Sequence, residues 1–256
     1  MSPTASPFPH AKALFFDLMG TLCDWHTSIT SLLKTLPPLE QLPQEHHSAF
    51  ALEWRSGFFE EIHARFLAAD ENEDIDITHQ RVLDRLLEER RIGCGMWDED
   101  VRQGLVKQWH EQVAWPDVLN GLQRLRKNYE VIVLANGTTR LQLDICKSAG
   151  LEMDMLFSSQ LLGMTKPDTR IYLKAAELVG AHVGKGECLM VAAHAYDLRA
   201  AKKAGMGTVY IHRETEDPEE DFDDVRNEVD LFVDGRTGTN GSNVSGLAAL
   251  AETLGW

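Results

Sequence analysis

The chain has 256 residues, of which 43% are apolar, and this is enough to build one large domain or two modest ones. Its formal net charge of −15 argues against binding to nucleic acid or to anionic membranes. No apolar run approaches the ~20 residues that span a bilayer, and the start MSPTASPFPH lacks a signal-peptide pattern. We therefore expect a soluble, cytoplasmic protein.

Cysteines and acidic residues indicate little specialised chemistry. The four cysteines are scattered without a CxxC pair, which favours reduced, mostly buried thiols over a zinc cluster or a disulfide framework. Two acidic stretches stand out, DENEDID from Asp70 and ETEDPEEDFDD from Glu214. We predict that both are solvated loops or helix ends and not binding sites.

The first predicted strand is ALFF (13–16), and it runs straight into Asp17. From residue 25 to residue 112 strand signals are few, and long amphipathic stretches such as HSAFALEWRSGFFEEIHARFL predict about four helices. An insertion directly after the first strand is well placed to cover the sheet edge at which open α/β folds bind ligands. We interpret it as a cap.

The sheet resumes after Trp115. Further short apolar runs predict strands at EVIVLA (130–135), MLFS (155–158), ECLMVA (187–192), GTVYI (207–211) and DLFVD (230–234). Helical patterns alternate with them at 117–128, 139–149, 168–180, 197–204 and 244–254. Continuous apolar strands that alternate with helices predict an α/β fold with a Rossmann-like parallel sheet.

Polar residues follow four of these strands, namely Asp17, Asn136, Lys166 and the pair His194 and Asp197. Taken singly, they have simpler interpretations: helix N-caps for the two aspartates, a turn residue for the asparagine and a surface lysine. Parallel strands, however, bring all of them to one edge of the sheet. Together they form a plausible nucleophile site.

Around Asp17 the sequence supplies supporting residues. Gly20 permits a tight turn with positive φ, and Thr21 is placed to hydrogen-bond the Asp17 carboxylate. Lys166 would keep that carboxylate ionised and therefore nucleophilic.

The segments DLMGTL, ANGT, TKPD and VAAHAYDLRAAKKAGM resemble, in order, the four motifs of the haloacid dehalogenase (HAD) superfamily. Within it the chain is most similar to the type II 2-haloacid dehalogenases, and the similarity covers nearly the whole length. The resemblance implies a HAD-fold core at residues 1–24 and 113–256 and a helical cap domain at 25–112. It also implies a small-molecule substrate, no cofactor, and a homodimer, since family members are often dimers.

The resemblance further implies a mechanism. Asp17 would attack the carbon that bears the halogen and form an ester, and water, positioned or activated by Asp197 with Lys166, would hydrolyse it. Metal-dependent phosphatases of the superfamily carry an acid two residues after the nucleophile and an acidic pair in the fourth motif. Met19 and Ala193 stand at these places here. Methionine is neither a hard ligand for Mg²⁺ nor a proton donor, so we expect no metal.

Substrate-binding residues are also implied. Arg55 matches a cap arginine that receives the halide, with Trp54 and Phe59 as pocket walls; its alternative is a surface arginine pairing with Glu53 or Glu60.

In the core, Tyr172 matches a tyrosine of the family's site, or else packs against the sheet. Tyr196 takes the place of an aromatic residue in the fourth motif. Met19, Asn136 and His194 complete the predicted binding set.

The match breaks at Ala135, where the family usually has serine, and at Ala192-Ala193-His194, where serine–serine–asparagine is usual. His194 would replace the asparagine as a donor, act as a base near neutral pH, or cap the next helix. These changes leave alternatives open: a biosynthetic enzyme acting on a non-halogenated electrophile such as an epoxide, a Mg²⁺-dependent phosphatase, and a non-catalytic binding module.

Overall fold

The computed structural model describes residues 6–68, 73–236 and 245–255. The chain divides into two compact units, one made of Met1–Asp24 and Ala114–Trp256 and the other of Trp25–Val113. Among the described residues, no helix is both long and apolar enough to cross a membrane.

The first unit is an α/β core. Its strands, together with the two-residue strands at the borders between the units, are β1 (Ala13–Phe16), β2 (Cys23–Asp24), β3 (Val113–Ala114), β4 (Glu130–Ala135), β5 (Met155–Ser158), β6 (Cys188–Ala192), β7 (Gly207–His212) and β8 (Leu231–Asp234). Six of them form one parallel sheet in the order β5-β4-β1-β6-β7-β8. The predicted parallel sheet is therefore confirmed, and β1 lies near its centre.

The helices of the second unit are α1 (Trp25–Leu33), α2 (His47–Ala68), α3 (Ile75–Glu89) and α4 (Glu99–Lys107), with short 3₁₀ turns at Gln44–His46 and Gln108–His110. Aspartates start two of these helices: Asp74 accepts from the Asp76 N–H and Asp98 from the Val101 N–H. Such N-caps stabilise a helix by ~1 kcal/mol each.

The helices of the core are α5 (Val118–Leu125), α6 (Thr139–Ala149), α7 (Ser159–Leu162), α8 (Thr169–Leu178), α9 (Ala195–Lys203), α10 (Phe222–Glu228) and α11 (Gly246–Thr253), with a 3₁₀ turn at Val183–Lys185. Most observed ends of these helices and of the strands lie within three residues of the predicted ends. Helices α7 and α10 were not predicted. Residue 244, the predicted start of the last helix, lies outside the described residues.

Side chains of the central strand are buried on both faces of the sheet. Ala13 and Phe15 belong to an apolar cluster that includes Ile171 and Ala175 of α8, whereas Leu14 and Phe16 point to the opposite face and are also fully buried. Burying a side chain of this size stabilises the fold by ~1.5–3 kcal/mol. The residue that follows β1 is therefore held on a rigid support.

Candidate active site

Asp17 lies at the carboxyl end of β1, and both of its carboxylate oxygens are held. Lys166 Nζ donates to Oδ1 at 2.7 Å, and the Thr21 hydroxyl donates to Oδ2 at 2.8 Å. The Asp17 side chain keeps 13% of its surface exposed, whereas the Lys166 side chain keeps 1%. The carboxylate is thus oriented, paired with a buried cation and still partly accessible.

The turn after β1 explains how Thr21 is oriented. The Thr21 hydroxyl accepts a hydrogen bond from the Ala193 N–H at 2.9 Å, so its own proton is directed to Asp17. Gly20 has φ +83°, and a Cβ there would lie 2.5 Å from the carboxyl carbon of Glu216. Only glycine satisfies both the backbone conformation and this close approach.

Asn136, directly after β4, fixes the backbone of Lys166. Its side chain donates to the Lys166 carbonyl at 3.0 Å and accepts from the Lys166 N–H at 2.8 Å. This two-point contact aims the lysine along the sheet edge. Asn136 is therefore more than a turn residue in this structure, because it positions the cation that pairs with Asp17.

Asp197 lies behind Lys166 as seen from Asp17. Its Oδ2 accepts from Lys166 Nζ at 2.5 Å, and its Oδ1 accepts from the Tyr172 hydroxyl at 2.5 Å. Asp197 lies inside α9, so the N-cap alternative is wrong. For Tyr172 the two interpretations coincide, since its ring is fully buried and its hydroxyl is bound to the site.

Burial and nearby charges shift the pKa values of the two carboxylates in opposite directions. Burial by itself would raise the pKa of Asp17, but the charge and hydrogen bond of the Lys166 ammonium, together with the Thr21 hydroxyl, outweigh it, and the pKa lies below its ordinary value. Burial dominates at Asp197, whose pKa is raised despite Lys166, with the Asp17 charge adding to the increase. Lys166 itself is kept charged, because the two carboxylates overcome the effect of burial and raise its pKa.

His194 stands at the N-cap position of α9, but its side chain makes no capping hydrogen bond, so the capping alternative is wrong. Its Nε2 lies 3.1 Å from Oε2 of Glu216, and its Nδ1 lies 3.7 Å from Oδ2 of Asp17. The exposed ring of Tyr196 packs edge-on against the imidazole, with centroids 5.8 Å apart. The imidazole is therefore aligned between two carboxylates.

Glu216 is a site residue that the sequence did not predict. It belongs to the acidic stretch from Glu214 that was predicted to be solvated, and this prediction is wrong for Glu216, which is 4% exposed. The neighbouring Asp217 is also drawn inward, since it accepts from the Ala195 N–H at 2.6 Å. The signal that would have found them is position, because both follow β7 at the same sheet edge as the other groups.

Arg55 belongs to α2 of the helical unit. It is 8% exposed, so the alternative of a surface arginine is wrong. Its guanidinium lies 4.3 Å from the ring centroid of Phe59 and 5.5 Å from that of Trp25. Trp54 is completely buried and donates to the His79 carbonyl at 3.0 Å, so it forms part of the unit's core.

The residues around Asp17 suit Mg²⁺ poorly. Met19, two residues beyond Asp17, is half-buried and offers a thioether, and Ala193 offers no side-chain donor. The Lys166 ammonium occupies the Oδ1 side of Asp17. Within residues 6–68, 73–236 and 245–255, no group of three or more His, Cys, Asp or Glu side chains is arranged to hold a metal ion.

Known proteins resemble this chain over most of its length. A family model described as haloacid dehalogenase-like hydrolase matches residues 11–205. (S)-2-haloacid dehalogenase 4A of Burkholderia cepacia is 29% identical over 227 residues, which cover 85% of this chain and 90% of that protein.

Two solved structures are similar in both sequence and fold. One, an L-2-haloacid dehalogenase, is 30% identical with a TM-score of 0.77 and covers 95% of this chain and 98% of its own. The other, a defluorinating L-2-haloacid dehalogenase, is 30% identical with a TM-score of 0.79 and covers 98% of this chain and 99% of its own.

Proposed function

Because the chain belongs to the haloacid dehalogenase-like hydrolase family, we propose that it is a hydrolytic dehalogenase of small 2-haloacids. Relatives that cover almost the whole chain carry this activity in their names. The observation that carries the proposal is the Asp17 carboxylate, held by Lys166 and Thr21 and still partly accessible. An oriented, ionised carboxylate is a competent nucleophile for carbon.

In the first step Asp17 displaces the halide and forms an ester with the substrate carbon. Oδ2 is the attacking oxygen in this scheme, because Lys166 at Oδ1 is placed to stabilise the negative charge that Oδ1 carries when the ester is later hydrolysed. Thr21 fixes the orientation of the carboxylate, and Asn136 fixes the lysine. Asp197 and Tyr172 keep the lysine in place and charged.

Arg55 and Phe59 enter the proposal through the family resemblance. The guanidinium, packed against aromatic rings, is proposed to receive the departing halide. Met19, His194 and Tyr196 are proposed to line the substrate site in the core.

The reaction is proposed to need no metal, since a halide leaves without a proton and the donors around Asp17 do not suit Mg²⁺. The four unpaired thiols, Cys23, Cys94, Cys146 and Cys188, support a cytoplasmic location. A homodimer stays a prediction, which light scattering on the purified protein tests.

Halide release tests the function directly. Wild-type protein should release halide from 2-chloropropionate, chloroacetate or fluoroacetate with EDTA present, and Asp17→Asn should release none, because its amide is not a nucleophile. Arg140→Gln, which changes an exposed residue of α6, serves as a matched control and should behave as the wild type.

Other outcomes would point elsewhere. Halide release that EDTA abolishes would contradict metal independence. If none of the three acids released halide and p-nitrophenyl phosphate were hydrolysed only with Mg²⁺, the protein would instead be a phosphatase. No activity in either assay would favour an enzyme that attacks a non-halogenated electrophile.

A further inference from the structure

Hydrolysis of the ester needs a base, and Asp197 is poorly placed to serve as one. Both of its oxygens already accept hydrogen bonds, one from Lys166 and one from Tyr172. Its side chain has no exposed surface, and the lysine ammonium separates it from Asp17. A water molecule in contact with the Asp17 carbonyl carbon therefore has a different neighbour.

That neighbour is His194. Its Nδ1 lies 3.7 Å from Oδ2 of Asp17, a separation too long for a direct N–H···O hydrogen bond of ~3 Å. One water molecule at ~2.8 Å from both atoms would bridge them. Such a water would lie beside the carboxyl group of Asp17, where the ester is attacked.

Glu216 orients the imidazole of His194. Its Oε2 lies 3.1 Å from His194 Nε2 and accepts a hydrogen bond from it when the ring proton is on Nε2; in that tautomer Nδ1, 3.7 Å from Oδ2 of Asp17, is the basic nitrogen. Oε1 of Glu216 accepts from the Thr215 hydroxyl at 2.8 Å. The glutamate also packs against Gly20 and is itself 4% exposed.

We propose that His194 is the general base for hydrolysis of the Asp17 ester and that Glu216, through Nε2, positions this base and stabilises the imidazolium that forms. The inference rests on the proposed function and assigns the second half of its reaction. His194 is the catalytic residue because it touches the reacting water. Glu216 is a positioning residue because it acts only through His194.

Hydrolysis of the ester moves both protons of the attacking water. Water adds to Cγ of the ester and gives one proton to His194 Nδ1, while the charge on Oδ1 is held by Lys166. The bond between Cγ and Oδ2 then breaks, and the imidazolium returns its proton to Oδ2, which leaves as the product hydroxyl. The water oxygen remains on Asp17, and its second proton passes to solvent.

Separating the two half-reactions by rapid mixing tests the assignment. With 2-chloropropionate, His194→Asn should release a burst of about one halide per enzyme and then turn over ~100-fold or more slowly than wild type, the usual contribution of a general base. Intact-mass spectrometry should show the ester accumulating on Asp17. Glu216→Gln should keep the burst and slow the second phase by a smaller factor, since it retains an acceptor for Nε2–H but not the charge.

His110→Asn is the matched control. His110 Nε2 lies 3.0 Å from Asp76, so this change removes a histidine–carboxylate pair of similar geometry from the helical unit, and we expect wild-type kinetics. A burst of full amplitude also shows that a variant is folded, because a variant with a structural defect would not give the full burst.

Three results would overturn the inference and leave the dehalogenase proposal intact: ester hydrolysis at the wild-type rate in His194→Asn, a slow phase without accumulated ester, or loss of the burst itself in that variant. Absence of halide release from the wild type would instead overturn the proposed function, and the inference with it.

Discussion

The ammonium of Lys166 lies between the carboxylates of Asp17 and Asp197, which differ in exposure and in pKa. Asp17 is ionised, partly accessible and available for attack, with its pKa lowered by Lys166 against the effect of burial. Asp197 is fully enclosed, and burial raises its pKa. One carboxylate is thus suited to be the nucleophile and the other to hold the cation.

This arrangement predicts how the halide burst depends on pH. The step needs ionised Asp17 and charged Lys166; the pKa of Asp17 lies below its ordinary 3.8, and that of Lys166 lies above its ordinary 10.5. Ionised Asp17 is therefore lost only when the pH falls below 3.8, and charged Lys166 only when it rises above 10.5. The burst rate, measured by stopped flow, should be flat from about pH 5 to about pH 9. A midpoint near neutral pH in the burst itself would contradict this account of Lys166.

At the residue scale, the sequence predicted much of the cluster of polar side chains that the structure brings together. The rule that strand ends meet at one edge was enough to bring Asp17, Asn136 and Lys166 together. It missed Glu216, because an acidic composition normally indicates a solvated surface, and burial against Gly20 depends on a turn that composition does not reveal.

Elements of the core are joined by a buried ion pair between Arg213, just after β7, and Asp117, at the start of α5. The guanidinium makes two bonds to the carboxylate, at 2.7 and 2.9 Å, and a third to the Thr21 carbonyl at 3.2 Å. Asp117 also accepts from the Leu247 N–H of α11 at 2.7 Å. The pair therefore ties the turn that carries Thr21 to three other elements.

Removing the charge of Asp117 should destabilise the protein strongly. Asp117→Asn leaves the fully buried Arg213 without a counter-charge, and we expect the free energy of unfolding to fall by ~3–5 kcal/mol in equilibrium denaturation. Asp144→Asn is the matched control: it breaks an exposed i,i+4 pair with Arg140, and it should cost no more than ~0.5 kcal/mol. Equal losses in the two variants would contradict the structural role given to Asp117.

Helix positions were largely predictable from periodicity, but the contacts made by residues at the helix ends were not. The predicted helix from residue 117 begins at Val118, and Asp117 occupies its N-cap position without capping it. Its carboxylate bonds instead to Arg213, which lies 96 residues further along the chain. α10 escaped prediction because its seven residues are too few to show periodicity; Asp221 starts it by accepting from the Asp223 N–H.

On the scale of the whole molecule, the sequence predicted a parallel sheet and a helical insertion but not the order of the strands. Apolar runs show which segments are buried strands, whereas pairing depends on contacts between distant segments. The observed order places β1 between β4 and β6, so Asp17 is flanked by Asn136 on one side and by His194 on the other. Because β1 has a neighbouring strand on each side, Asp17 lies close to residues that follow both β4 and β6.

The central claim is that Asp17 itself forms the bond to substrate carbon and is regenerated by water. A single turnover in water enriched in the heavy oxygen isotope, with enzyme in excess over 2-chloropropionate, tests it most directly. Mass spectrometry of the peptide that contains Asp17 should find the heavy oxygen in that carboxylate, and the hydroxy-acid product should carry ordinary oxygen. Heavy oxygen in the product hydroxyl after this first turnover, with Asp17 unlabelled, would contradict the account.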